Sequence, residues 1–199
     1  MLSVRPPVIP VALPLRDIVP SAELFAFRSE LHGQKHVARV MVHAFHLLDA
    51  TGAADEGRRL WAAVYIHDLA RTHDGHCEGH GEDACKRLRS SPDLQETLSR
   101  GGVTVADYEA IEKAVATHSR GELAPTDPRW QLTALLKDAD ALDRVRLGDL
   151  DVNRLRHSEA KGMVEFAWRL FEETHTIPES PGYFDRLWPE ALRILESCS

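Results

Sequence analysis

The sequence predicts an all-α fold, a single-domain helical bundle, on three observations. Apolar residues recur with the 3.6-residue period in segment after segment, alternating strand patterns are absent, and the linkers between segments are short. A length of 199 residues suits one domain rather than two. A chain of this size buries about 70% of its unfolded surface, so it needs no disulfide or metal merely to hold a core.

Residues 1–20 form a proline-rich lead-in, expected to run extended over the surface because proline disfavours helix at and before itself. The domain proper spans 21–199. Ser21 is a plausible N-cap for a first helix over 22–31. A second helix is predicted over 34–50, with the stripe Val37, Val40, Met41, Ala44, Leu47, Leu48 and a stop near Gly52. The third covers 55–69 and runs into a polar loop, Thr72 to Gly79. A fourth opens at His80 and closes by Ser90, a short one covers 93–99, and Thr104 caps the next over 105–118. The remaining helices are predicted over 128–142, 160–174 and 182–197, with Pro178 and Pro181 between the last two.

Composition excludes several classes of function. With 24 Lys and Arg against 31 Asp and Glu the net charge is −7, which argues against a nucleic-acid partner or an anionic membrane surface. No apolar run approaches the length of a membrane span, and Pro6, Pro7, Pro10, Pro14 and Pro20 break up any leader-like segment. Three cysteines imply no disulfide framework and fit the reducing cytoplasm. Histidine is the unusual residue: eight of the eleven lie between His32 and His80, a clustering that suggests metal or phosphate chemistry.

The dipeptide His67-Asp68 ends an apolar helix, where a buried carboxylate beside an imidazole is costly unless a cation compensates it. His36 opens a helix whose following residues face the core. Lys137 to Asp143 carries three carboxylates in an otherwise apolar helix, of which Asp140 and Asp143 share a face while Asp138 points elsewhere. His80 opens a helix after the polar loop, and His118 closes the helix of Tyr108, Ile111 and Val115. His43, seven residues after His36, reads as a packed histidine, His46 as a surface one, and the four tryptophans as core. The spacing of His73, His76, Cys77, His80 and Cys85 matches no standard zinc finger.

Taken in order, His, His-Asp, His, His and Asp resemble the signature of the HD-domain superfamily of metal-dependent phosphohydrolases. The local contexts agree: His36 followed by Arg39-Val40, the apolar helix ending in His67-Asp68, His80-Gly81 opening the next helix, and Asp138-Ala-Asp140-Ala-Leu-Asp143. The resemblance spans about 32–146 and leaves the rest of the chain unmatched. It implies an HD-type helical bundle in which His36, His67, Asp68 and Asp140 hold one metal. In members with a second metal, Asp68 bridges the two ions and His80 and His118 complete the site; otherwise these two histidines would bind phosphate. Mixed nitrogen and oxygen ligation suits Mn, Fe, Co, Ni or Zn, one ion or two. Arg71, His73, His76 and Lys137 are expected to bind substrate, and Asp143 to orient a water or hold a ligand histidine.

The implied activity is hydrolysis of a small phosphorylated substrate, a nucleotide by expectation, through metal-activated water. Two alternatives stand beside it: a di-iron oxygenase of the same fold, and a non-catalytic nucleotide-binding sensor. A homodimer is compatible with the sequence. The charge-dense stretch Arg144 to His157 reads as a lid or a solvated loop.

Overall fold

The computed structural model describes residues 6–198. Among these it is helical throughout, without strands. The helices are α1 (Gln34–Thr51), α2 (Gly57–Ile66), α3 (His80–Ser90), α4 (Pro92–Arg100), α5 (Tyr108–Thr117), α6 (Trp130–Leu142), α7 (Ser158–Gly162), α8 (Val164–Thr174) and α9 (Tyr183–Ser197). Among the described residues no helix is long and apolar enough to cross a membrane.

Helix α1 is the hub. It packs against α2 and α6 on one side and α9 on the other, and α5 closes the bundle against α2, α3 and α6. Thirteen of its eighteen residues are buried, which is why its apolar stripe is wider than a surface helix needs. It stops where Gly52 takes the left-handed conformation, φ 68°, and its N–H bonds back to the helix carbonyls.

The first expected helix, 22–31, does not form. Residues Ala22–Leu24 make one 3₁₀ turn and Phe25 is extended. Two local bonds compete with helix here. The Ala26 N–H donates to Leu69 O at 3.0 Å, and the Ser29 hydroxyl accepts the N–H groups of Leu31 and His32 at 3.0 and 2.8 Å. The lead-in also penetrates the bundle rather than lying on it: Val11, Ile18 and Val19 are buried, and Ile18 O accepts the Trp61 indole N–H at 2.9 Å. Residues 1–5 of that segment lie outside the described residues. Trp61 and Trp188 are core, but Trp168 is 40% exposed, and His46 is half-buried against Phe166 rather than on the surface.

The third helix ends at Ile66, three residues earlier than expected, and His67 to Ala70 continue as turns. The freed carbonyl of Leu69 is satisfied by Ala26 N–H and by the Arg87 guanidinium at 2.6 Å. This early stop puts His67 and Asp68 on a tight turn at the bundle's interior. A further constraint brings α3 against α5. A Cβ on Gly81 would lie 2.2 Å from Val115 O and 3.2 Å from His118 Nδ1, so only glycine lets the two helix ends close up there.

Candidate metal centre

Six side chains converge where α1, α2, α3, α5 and α6 meet: His36, His67, Asp68, His80, His118 and Asp140. Four of them sit at helix ends. His67 and His118 use the same device, each standing just past the last helical residue and donating Nδ1–H to the carbonyl three residues back, Val64 O at 2.8 Å and Val115 O at 2.6 Å. Helix C-termini leave such carbonyls unpaired, so the bond satisfies the backbone and orients the ring together. His80, the first residue of α3, donates Nδ1–H to Cys77 O. His36, in the first turn of α1, donates Nδ1–H to the Asp143 carboxylate at 2.8 Å.

All four imidazoles are therefore protonated on Nδ1, because carbonyl and carboxylate oxygens can only accept. That turns their Nε2 atoms inward to face one another: His36 and His67 at 3.4 Å, His80 and His118 at 2.8 Å. Two carboxylates join them. Asp140 Oδ1 is 3.3 Å from His36 Nε2. Asp68 spans both pairs, its Oδ2 at 3.5 Å from His36 and 3.7 Å from His67, its Oδ1 at 3.1 Å from His80 and 4.0 Å from His118. The ligand atoms fall into two groups, His36–His67–Asp140 and Asp68–His80–His118, each within 4.8 Å of one another.

Protonation follows the surroundings. Burial disfavours charge on Asp68 and Asp140, yet the imidazoles beside them prevail, and both carboxyls are held below the usual carboxylate range. Burial pushes His67 down, and His118 down to about 4. On His36 burial and Arg146 act against charge, but Asp140 and Asp143 outweigh them and its pKa is raised. Buried imidazole nitrogens and ionised carboxylates crowded this closely need positive charge between them, which a divalent cation supplies. The donor set fits divalent metal on that ground.

Asp143 is fully buried and holds His36 in place. Arg39 in turn braces it through two bonds of 2.6 and 3.1 Å, with Arg146 at 3.3 Å. Burial opposes its ionisation, and Arg39 and His36 overcome that and keep its carboxyl low.

The cluster opens into a cleft of about 820 Å³, lined by Asp68, Asp140, His80 and His118 at its floor. Arg71 also lines it, 11% exposed, with Nη1 3.7 Å from Asp68 Oδ1, Nη2 donating to Gly75 O at 2.9 Å and a buried Nε that has no partner among the described residues. The other expected substrate contacts divide. His76 reaches the cleft rim, paired with Glu78 at 3.1 Å. His73 is exposed, is not among the residues lining the cleft and accepts the Gly75 N–H. Lys137 lines the cleft but spends all three of its N–H bonds on Arg120 O, Gly121 O and Glu122, at 2.9 to 3.0 Å. Of these, His73 lies outside the lining, and Lys137 is inside it but already bonded to Arg120 O, Gly121 O and Glu122.

Asp138 is a contributor that sequence reasoning set aside. Fully buried, it accepts bonds from the backbone N–H and the side chains of both Arg156 and His157, at 2.8 to 3.1 Å. It ties the segment after α6 down as the far wall of the cleft, so 144–157 is an anchored wall rather than a free loop. Its place beside Asp140 in an apolar helix was a signal for burial, but not for its partners.

A family model described as HD domain matches residues 33–145, more than half of the chain. Neither the search of curated proteins nor that of solved structures found a match.

Proposed function

Because the chain belongs to the HD-domain superfamily of metal-dependent phosphohydrolases, we propose that it hydrolyses a small phosphorylated substrate with two divalent metal ions. His36, His67, Asp140 and Asp68 would hold the first ion, and Asp68, His80 and His118 the second. The observation that carries this reading is the shared carboxylate: the two oxygens of Asp68 divide between the inward-facing Nε2 atoms of two histidine pairs, each ring anchored through Nδ1 to an oxygen acceptor.

When bound, the metals supply Lewis acidity to the phosphoryl group and lower the pKa of water. The protein's own part is to fix geometry and charge. Asp68 and Asp140 stay ionised at neutral pH, and His67 and His118 stay neutral, so no proton competes at those ligand atoms. Arg71, whose guanidinium lines the cleft beside Asp68, offers N–H to a phosphoryl oxygen as negative charge develops there.

The same complete set of six ligands suits the di-iron oxygenases of this fold, which is the second reading. Elemental analysis of the purified chain, followed by turnover of p-nitrophenyl phosphate with added Mn, Co or Ni, separates them. Two ions per chain with phosphate release are expected. Two irons with oxygen-dependent turnover and no phosphate release would overturn hydrolysis.

A further inference from the structure

The walls of the cleft discriminate among phosphorylated molecules. Small-molecule pockets are usually lined by apolar and aromatic side chains with a few polar ones. Here, among the described residues, no Phe, Tyr or Trp lines the cleft, and its apolar lining is limited to Leu31, Ala141, Leu147 and Leu150. The rings that do line it are imidazoles. His80 and His118 belong to the metal centre, His32 bonds Asp74 at 3.1 Å and His76 pairs with Glu78. A nucleobase would therefore find no Phe, Tyr or Trp ring to stack on, and base–aromatic stacking is worth about 1–3 kcal/mol per base.

Beyond the metal centre, the wall alternates acids with arginines: Glu122, Asp149 and Asp151 with Arg144, Arg154 and Arg156. Most are paired across the wall, Arg144 with Asp149 and Arg156 with Glu122, and the other lining cations Arg120, Arg146 and Lys137 are committed to Glu82, Asp143 and Glu122. Such pairs leave little net positive charge for a second or third phosphate. They do present acceptors and donors side by side, which is what a hydroxyl group, both donor and acceptor, requires. Arg154 is exposed, lines the cleft and makes no side-chain hydrogen bond or ion pair among the described residues, while Asp151 has one oxygen engaged, by Asn153 N–H. The cleft, about 820 Å³, is far larger than a phosphate ion and accommodates a substrate body along this wall.

Resting on the phosphohydrolase reading, we propose that the substrate is a non-aromatic polyol or sugar monophosphate, its phosphoryl group at the metal centre and Arg71, and its hydroxyls on the acid–arginine wall with Arg154. In the reaction, water adds to phosphorus, the P–O bond to the sugar breaks, and the alcohol oxygen leaves with a proton.

The test compares kcat/KM of the metal-loaded chain for hexose and polyol monophosphates with that for nucleoside monophosphates, using p-nitrophenyl phosphate as a base-free reference. Polyol or sugar phosphates are expected to exceed nucleotides at least tenfold, and Arg154→Ala to lower their kcat/KM about fivefold, chiefly through KM. Equal or better turnover of nucleotides overturns the proposal while leaving hydrolysis intact, as does an Arg154→Ala chain with unchanged KM. Thermal shift of the metal-loaded chain with the same ligands gives a readout of binding besides turnover. If no phosphate at all is hydrolysed, the hydrolase reading fails, and the thermal shift still decides the ligand class: greater stabilisation by nucleotides than by sugar phosphates overturns it.

Discussion

His36 and His43 lie seven residues apart on one helix, and both are buried to 1% exposure or less. At His36 both ring nitrogens are engaged. Nδ1–H donates to Asp143, and Nε2 faces Asp68 and Asp140. At His43 neither nitrogen has a partner among the described residues, the ring stands edge-on to Phe166 at 5.8 Å, and burial pushes its pKa down to about 3. Carboxylates raise the first histidine's affinity for positive charge, and apolar packing lowers that of the second. Burial alone therefore distinguishes nothing. What separates a metal-binding histidine from a packed one is whether the neighbouring elements deliver acceptors to Nδ1 and anionic oxygens to Nε2.

Removing the shared oxygens should affect this contrast most. Asp68→Ala deprives both ligand groups at once, and we expect metal content to fall from two ions to none or one, with activity lower by on the order of 10³-fold or more. Elemental analysis alongside phosphate release checks it; full activity without metal would refute the metal centre.

Asp143→Asn should convert His36 toward the condition of His43. It weakens the acceptor that orients the ring and leaves Arg39 and Arg146 buried without their carboxylate. The expected cost is about 3–5 kcal/mol of stability, with metal affinity weakened about 10–100-fold. Chemical denaturation and metal titration of the same variant read the two effects separately.

The smallest effect, and the one that sharpens the other side, is His43→Leu. Two buried, unpartnered ring nitrogens are replaced by apolar surface, so the variant should gain about 1–3 kcal/mol at neutral pH. It should also respond less to acid. With its folded pKa near 3, the wild-type histidine binds a proton in the unfolded chain but not in the folded one between roughly pH 6.5 and 3. Stability therefore falls as pH drops through that window, by up to about 1.4 kcal/mol per unit. Denaturation midpoints measured from pH 7 to 4 should fall less steeply in His43→Leu; parallel curves would show that His43 is not the group responsible.

Much of the candidate site was legible before the fold. The residue types that converge there, their order and their helix-end contexts stand in the sequence, and the helix starts at Gln34 and His80 agree with the periodicity to the residue. The packed character of His43 was legible too, from its place on the apolar stripe. The partners of Lys137 were not legible, because the carbonyls of Arg120 and Gly121 that it bonds come from a loop 17 and 16 residues away. The stretch 22–31 misled because its helical period is real, but the Leu69 carbonyl and the Ser29 hydroxyl compete for the same N–H groups.

The sequence by itself determined that the chain is helical and which imidazoles and carboxylates it carries at helix ends, since periodicity and termini are local properties. Only tertiary structure decided that the two oxygens of Asp68 divide between two histidine pairs, that Asp143 grips His36 across 107 residues, and that the cleft above them has a charged wall without a Phe, Tyr or Trp ring among the described residues. Those outcomes depend on which helix faces meet and how closely, as where Gly81 lets α3 approach α5, and side-chain chemistry at long range is set by that approach rather than by spacing along the chain.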